Sequence, residues 1–109
     1  MRRSRWIRTE NGVFHKIKEV LNGWLTLESG YGIKIEDVKF ADTPQELIEV
    51  GDLVETELYP ILPVTEVLND LHINCYCEKF IRVKDKSDIT AIYTPNSNGD
   101  YIKQWSTDE

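Results

Sequence analysis

A chain of 109 residues with a net charge of -6 and 40% hydrophobic residues is sized for one packed domain. It lacks the run of about 20 apolar residues that a membrane-spanning helix needs, so no membrane partner is expected. With two cysteines, Cys75 and Cys77, and no apolar leader in evidence, a disulfide-built secreted module is not expected and a reducing cytoplasm is the expected compartment.

Short stretches of apolar-polar alternation, broken by glycine, asparagine and aspartate, predict an all-β chain. Trp6 to Thr9 reads as the first strand, and Glu10-Asn11-Gly12 as a tight turn whose Asn-Gly step supplies positive φ angles. Val13 to Leu21 follows. Its Phe14, Ile17, Val20 and Leu21 also fit helical spacing, but valine and a following Asn22-Gly23 hairpin signal favour a strand. Leu25 and Leu27 alternate with Thr26 and Glu28, then Ile33 to Glu36 and Val38 to Ala41 complete a first set of strands.

A short connector helix is predicted near 44–50. Thr43 is placed to cap it, Pro44 suits its first turn, Glu46 completes a Thr-x-x-Glu box and Gly51 ends it. Beyond it the order of strands returns as Leu53 to Glu57, Ile61 to Leu68, Leu71 to Cys77, Phe80 to Lys84 and Ile89 to Thr94. Residues 61–69 carry the same strand-helix ambiguity as 13–21 and the same resolution. A last strand runs from Tyr101 to Trp105 after the 96–100 turn.

The return is more than a pattern. Residues 6–22 align without gaps on 53–69, with six identities in 17 pairs, among them Glu19-Val20-Leu21-Asn22 with Glu66-Val67-Leu68-Asn69. Downstream, Ile33-Lys34-Ile35 answers Ile81-Arg82-Val83, and Asp37-Val38 with Thr43-Pro44 answers Asp88-Ile89 with Thr94-Pro95. Gly51-Asp52-Leu53-Val54 answers Gly99-Asp100-Tyr101-Ile102. The expected organisation is one compact domain, 1–109, made of two tandem repeats at about 6–44 and 53–95 plus a C-terminal strand at 100–105. Each copy alone lies near the roughly 40-residue limit for an unsupported domain.

The entry Val50-Gly51-Asp52-Leu53-Val54 followed by Val64-Thr65-Glu66-Val67 resembles the opening strands of small SH3-like barrels. The resemblance implies an internally duplicated small barrel of SH3-like units. Over most of the chain, Trp6 to Gly12, Glu46 to Val54 and Asp88 to Thr94 resemble a group of small proteins encoded by phages and prophages of Gram-positive bacteria. That likeness implies the cytoplasm of a bacterial host and brings no catalytic residues with it.

Charge is unevenly spread. Residues 1–39 carry eight Lys or Arg against five acids, whereas residues 40–78 carry nine acids and no Lys or Arg. The basic end holds Arg2, Arg3, Arg5, Trp6 and Arg8, guanidinium groups and an indole suited to phosphates and bases, against the plainer reading of a solvated tail entering a strand. The acidic stretch offers Asp42, Glu46, Glu49, Glu55 and Glu57 as a surface for a basic protein, or as a mimic of nucleic-acid phosphates directed at a host enzyme. Its plainer reading is a solubilising face.

Catalytic residues, a cofactor and a metal are not expected. Strand alternation puts Cys75 and Cys77 on an apolar face away from His72, which reads as buried free thiols and not as zinc ligands. Asp37 with Asp88, and Asp52 with Asp100, are the carboxylate pairs that duplication could bring together, yet each sits where aspartate serves a turn. The leading expectation is a non-enzymatic module that binds a protein partner through polar strand faces and loops, with nucleic-acid binding as the alternative.

Overall fold

In the computed structural model the described residues are 5–35, 38–69, 72–76 and 78–107. The chain is mostly β and divides into two compact units, Met1–Leu47 and Ile48–Glu109. No helix among the described residues is long and apolar enough to cross a membrane.

The first unit contains strands β1 (Trp6–Arg8), β2 (Phe14–Leu21), β3 (Trp24–Leu27), β4 (Gly32–Lys34) and β5 (Lys39–Ala41). They form an antiparallel sheet in the order β4-β3-β2-β1-β5. The turn between β1 and β2 closes with Thr9 donating to Val13 and Gly12 donating to Thr9, and Gly12 has the positive φ of 82° that the Asn-Gly step predicts. Asn22 and Gly23 both take positive φ, 50° and 83°, the conformation of a two-residue hairpin turn that follows the twist of its strands. Ile7, Leu25 and Leu27 are fully buried and pack with Ile17, Ile33, Ile35 and Val38, so the inward members of the alternation form this unit's core.

The second unit holds β6 (Leu53–Thr56), β7 (Leu62–Val67), β8 (Ile73–Tyr76), β9 (Phe80–Val83), β10 (Ile89–Pro95) and β11 (Tyr101–Ser106). Among the described residues they form one antiparallel sheet, β11-β10-β6-β7-β8-β9. Read from β9, its first five strands have the order of the first sheet, with β11 added on the outer side of β10. Val54, Leu62, Val64, Ile73, Cys75, Ile89 and Ile92 are among the buried apolar residues here.

The registers agree rung by rung. Ile7 opposite His15 recurs as Val54 opposite Leu62, and Trp6 opposite Lys16 as Leu53 opposite Pro63. Both second strands bulge at the same place, between Ile17 and Glu19 and between Val64 and Glu66. Farther along, the pairing corrects the sequence alignment. Leu25 faces Ile33 and Ile73 faces Val83, so Ile33 corresponds to Val83 rather than Ile81. An irregularity between Ile89 and Ala91 then slips β10 by one residue, and the two Thr-Pro steps part company: Thr43-Pro44 opens a 3-10 turn, whereas Thr94-Pro95 lies inside β10.

The connector is shorter than expected. Pro44–Leu47 is a single 3-10 turn, and 48–50 are not helical. Its N-terminal signal holds, because the Glu46 carboxylate accepts from the backbone N–H of Thr43 at 3.3 Å and of Asp42 at 3.0 Å. Propagation stops because the next N–H donors are drawn elsewhere: Glu49 N–H donates to the Asp52 carboxylate at 2.8 Å, and Gly51 turns the chain at φ 99°. Residues 14–21 and 62–67 are strands, as valine and the hairpin turns favour.

Cys75 is a free, fully buried thiol, and removal from water pushes its pKa up to about 11. Cys77 lies outside the described residues. Because the folded thiol holds its proton more tightly, this group stabilises the fold fully below about 9, and that contribution is lost as pH rises from there towards 11. In the native protein at pH 8, iodoacetamide should modify Cys75 at least about 50-fold more slowly than in urea, read by peptide mass spectrometry. Equal rates would show that the thiol is neither buried nor raised.

Candidate partner-binding site

The second unit carries an open cleft of about 800 Å³. One wall is the loop that leaves β6. Thr56 N–H donates to the Tyr59 carbonyl at 2.8 Å and Tyr59 N–H to the Thr56 hydroxyl at 3.1 Å. This tight turn leaves the Leu58 side chain 85% exposed and the Tyr59 ring partly so. So exposed, Leu58 contributes little to the packing of its own unit.

A further part of the lining comes from β9 and the residue after it: Ile81, Arg82, Val83 and Lys84. Arg82 is held at its base, where Nε donates to Asn74 Oδ1 at 3.3 Å, and the Asn74 amide donates to Glu66 Oε1 at 2.7 Å. Glu66, Asn74 and Arg82 stand at one rung across β7, β8 and β9, so this polar row holds the arginine across three strands. Ser87, Asp88 and Thr90 close one side. They belong to the 3-10 turn Lys86–Asp88 and the start of β10, positioned by Asp85, whose carboxylate accepts from Ser87 N–H at 2.9 Å and Ser87 Oγ at 2.7 Å. Those two bonds hold the Asp85 pKa below its ordinary value.

The cleft therefore offers an apolar patch from Leu58, Tyr59 and Ile81, cations on the β9 wall and acids at Glu57 and Asp88. No histidine lines it, and among the described residues no group of three or more His, Cys, Asp or Glu could hold a metal ion.

Apart from Glu57 and Asp88, the sequence candidates fall elsewhere. Arg2 and Arg3 lie outside the described residues. Arg5 is exposed just before β1 and Trp6 is half-buried. Arg8 is turned inward with 8% exposure: its Nη1 donates to the Leu47 carbonyl at 2.9 Å, and its guanidinium lies 5.3 Å over the Phe14 ring. Among the acids, Glu46 accepts the backbone bonds at the connector turn and Glu49 is half-buried beside Asp52. Asp42 is half-buried before that turn. Glu55 Oε1 takes the Tyr93 hydroxyl at 2.7 Å, which raises the Tyr93 pKa. Of that set Glu57 alone lines the cleft. Asp52 is buried with its carboxylate on the Glu49 amide, Asp88 lies in the 3-10 turn and Asp100 precedes β11; Asp37 is outside the described residues.

Leu58, Tyr59, Arg82 and Lys84 were not singled out from sequence. The one available signal was Leu58-Tyr59-Pro60-Ile61, an apolar run without alternation in a loop. Comparison with family models, with curated proteins and with solved structures finds no match to this chain.

Proposed function

We propose that the chain is a non-enzymatic interaction module of phage or prophage origin, working in the cytoplasm of a Gram-positive host, and that the second unit's cleft receives an extended segment of a protein partner. The observation that carries this reading is Leu58, 85% exposed after its turn, in a cleft that Arg82 and Lys84 also line. A large apolar residue of the partner covers Leu58 and Tyr59. An acidic neighbour meets Arg82 and Lys84, and a basic one meets Glu57 or Asp88. Bidentate guanidinium-carboxylate pairing supplies direction, and the apolar contact supplies most of the affinity.

Selection of displayed random peptides on the full chain tests this. The wild type should enrich segments that combine a large apolar residue with Asp or Glu. Arg82→Glu should shift the enriched charge towards Lys or Arg, and Leu58→Asp should weaken binding of the selected peptides by about tenfold or more. If the wild type enriches nothing beyond what the Leu58→Asp, Arg82→Glu double variant does, the reading fails.

A further inference from the structure

The longest identical run shared by the two copies is not in the core. Glu19-Val20-Leu21-Asn22 ends β2 and enters the β2–β3 turn, and Glu66-Val67-Leu68-Asn69 ends β7 and enters the β7–β8 turn. Core positions at matching rungs have changed: Ile7 against Val54, Ile17 against Val64, Leu25 against Ile73, Leu27 against Cys75. Packing therefore tolerates substitution where it is tightest, while an exposed segment has stayed the same.

Turn chemistry accounts for the asparagine in each run. Asn22 adopts φ 50°, and Asn69 Oδ1 accepts from the His72 N–H at 3.1 Å. It does not account for the valine and leucine. Val20 and Leu21 are 54% and 55% exposed, and Val67 and Leu68 are 37% and 41% exposed. Val20 stands opposite Leu25 and Leu21 opposite Trp24, itself half exposed with the Lys34 ammonium 5.7 Å from its ring. Adjacent strand residues point to opposite faces, so each tip is apolar on both faces of its hairpin. A solvated hairpin end needs neither face apolar.

We propose that the two hairpin tips are a self-association surface, the β2–β3 tip of one chain packing against the β7–β8 tip of a second copy. Two features select a second copy and this crossed pairing. A contact of one tip with the other needs no third component, because every chain carries both halves of it. Charge then decides which tips meet. Residues 1–47 carry eight Lys or Arg against seven acids, and residues 48–109 carry five against twelve. Both tips keep a glutamate, but β2 has exposed Lys16 and Lys18 where β7 has Pro63 and Thr65. Pairing two β7–β8 tips would set acidic unit against acidic unit, whereas the crossed arrangement brings the β2 lysines to the acidic one. The surface is separate from the Leu58 cleft and stands without it.

Sedimentation velocity of the full chain from about 1 μM to about 1 mM tests the proposal, a range that spans interfaces of this modest kind. The weight-average mass should rise with concentration above that of one chain. Leu21→Lys and Leu68→Glu should each weaken association by about tenfold or more, and the double variant should return to within about threefold of wild type, because the new lysine and glutamate meet across the contact. The reversed pair, Leu21→Glu with Leu68→Lys, should behave the same way and serves if either first variant folds poorly by circular dichroism. One-chain mass at every concentration overturns the proposal. So does a double variant no better than the single ones, or association that Leu21→Lys abolishes and Leu68→Glu leaves intact, which would mean like tips pairing.

Discussion

Replacing Arg8 with alanine should lower the stability of the chain by about 2–4 kcal/mol, the loss of a charged hydrogen bond and of a desolvated cation-ring contact together. The guanidinium is almost entirely removed from water, donates to the Leu47 carbonyl at the end of the connector turn and lies over Phe14, its opposite number on β2. A carbonyl at the end of a helical turn lacks an intrahelical partner, so arginine here fastens the connector to the sheet. Lysine at this position keeps the charge but not the planar fork, and Arg8→Lys should recover less than half of the loss. Urea denaturation followed by tryptophan fluorescence reads the effect, with Trp105→Phe as background so that Trp6 and Trp24 report on the first unit. An Arg8→Ala variant with an unchanged midpoint would return the residue to the surface and to anionic ligands.

Leu25→Ala and Ile73→Ala should each cost about 2–5 kcal/mol, the range for emptying a closely packed site. The two residues hold the same rung in their hairpins, opposite Val20 and Val67, and neither touches solvent. Similar losses at the two positions, in urea titrations followed by circular dichroism, would show that both sheets rely on that rung. A loss below about 1 kcal/mol at either would mean that its core closes over the cavity or does not form as described. The conservative changes Leu25→Ile and Ile73→Leu should stay under about 1.5 kcal/mol, since volume is kept.

Strands were legible from sequence because alternation and turn chemistry are local. Asn22-Gly23 and Gly12 name their own turns, and nearly every predicted strand lies within two residues of its observed span. The connector was half legible. Its capping glutamate behaves as the Thr-x-x-Glu pattern says, but its length depends on Asp52 capturing the Glu49 amide, which no helical periodicity reveals. The Thr-Pro equivalence failed for one physical reason, an irregularity of a single residue near Thr90 that moves every later partner by one place. The cleft was not legible because its walls come from a loop, a strand, a 3-10 turn and Thr107, segments that only the sheet order brings together. Arg8 and Glu55 were read as charges for a partner, and both are used inside their own unit, one on a carbonyl and one on a phenol. Net charge along a sequence does not distinguish a charge that is spent from one on offer.

The bulge shared by β2 and β7 has a consequence for how this chain can change. Lys18 in one strand and Thr65 in the other occupy the extra place, and they have neither charge nor shape in common. Taking that residue away would set Ile17 and Glu19 regularly against Leu27 and Thr26, and Val64 and Glu66 against Cys75 and Asn74, with Val20 still opposite Leu25 and Val67 still opposite Ile73. The facing of the tips would survive and the local bend and added twist would go. What the two strands share at that position is a count of residues, and the curvature of each hairpin is set by it.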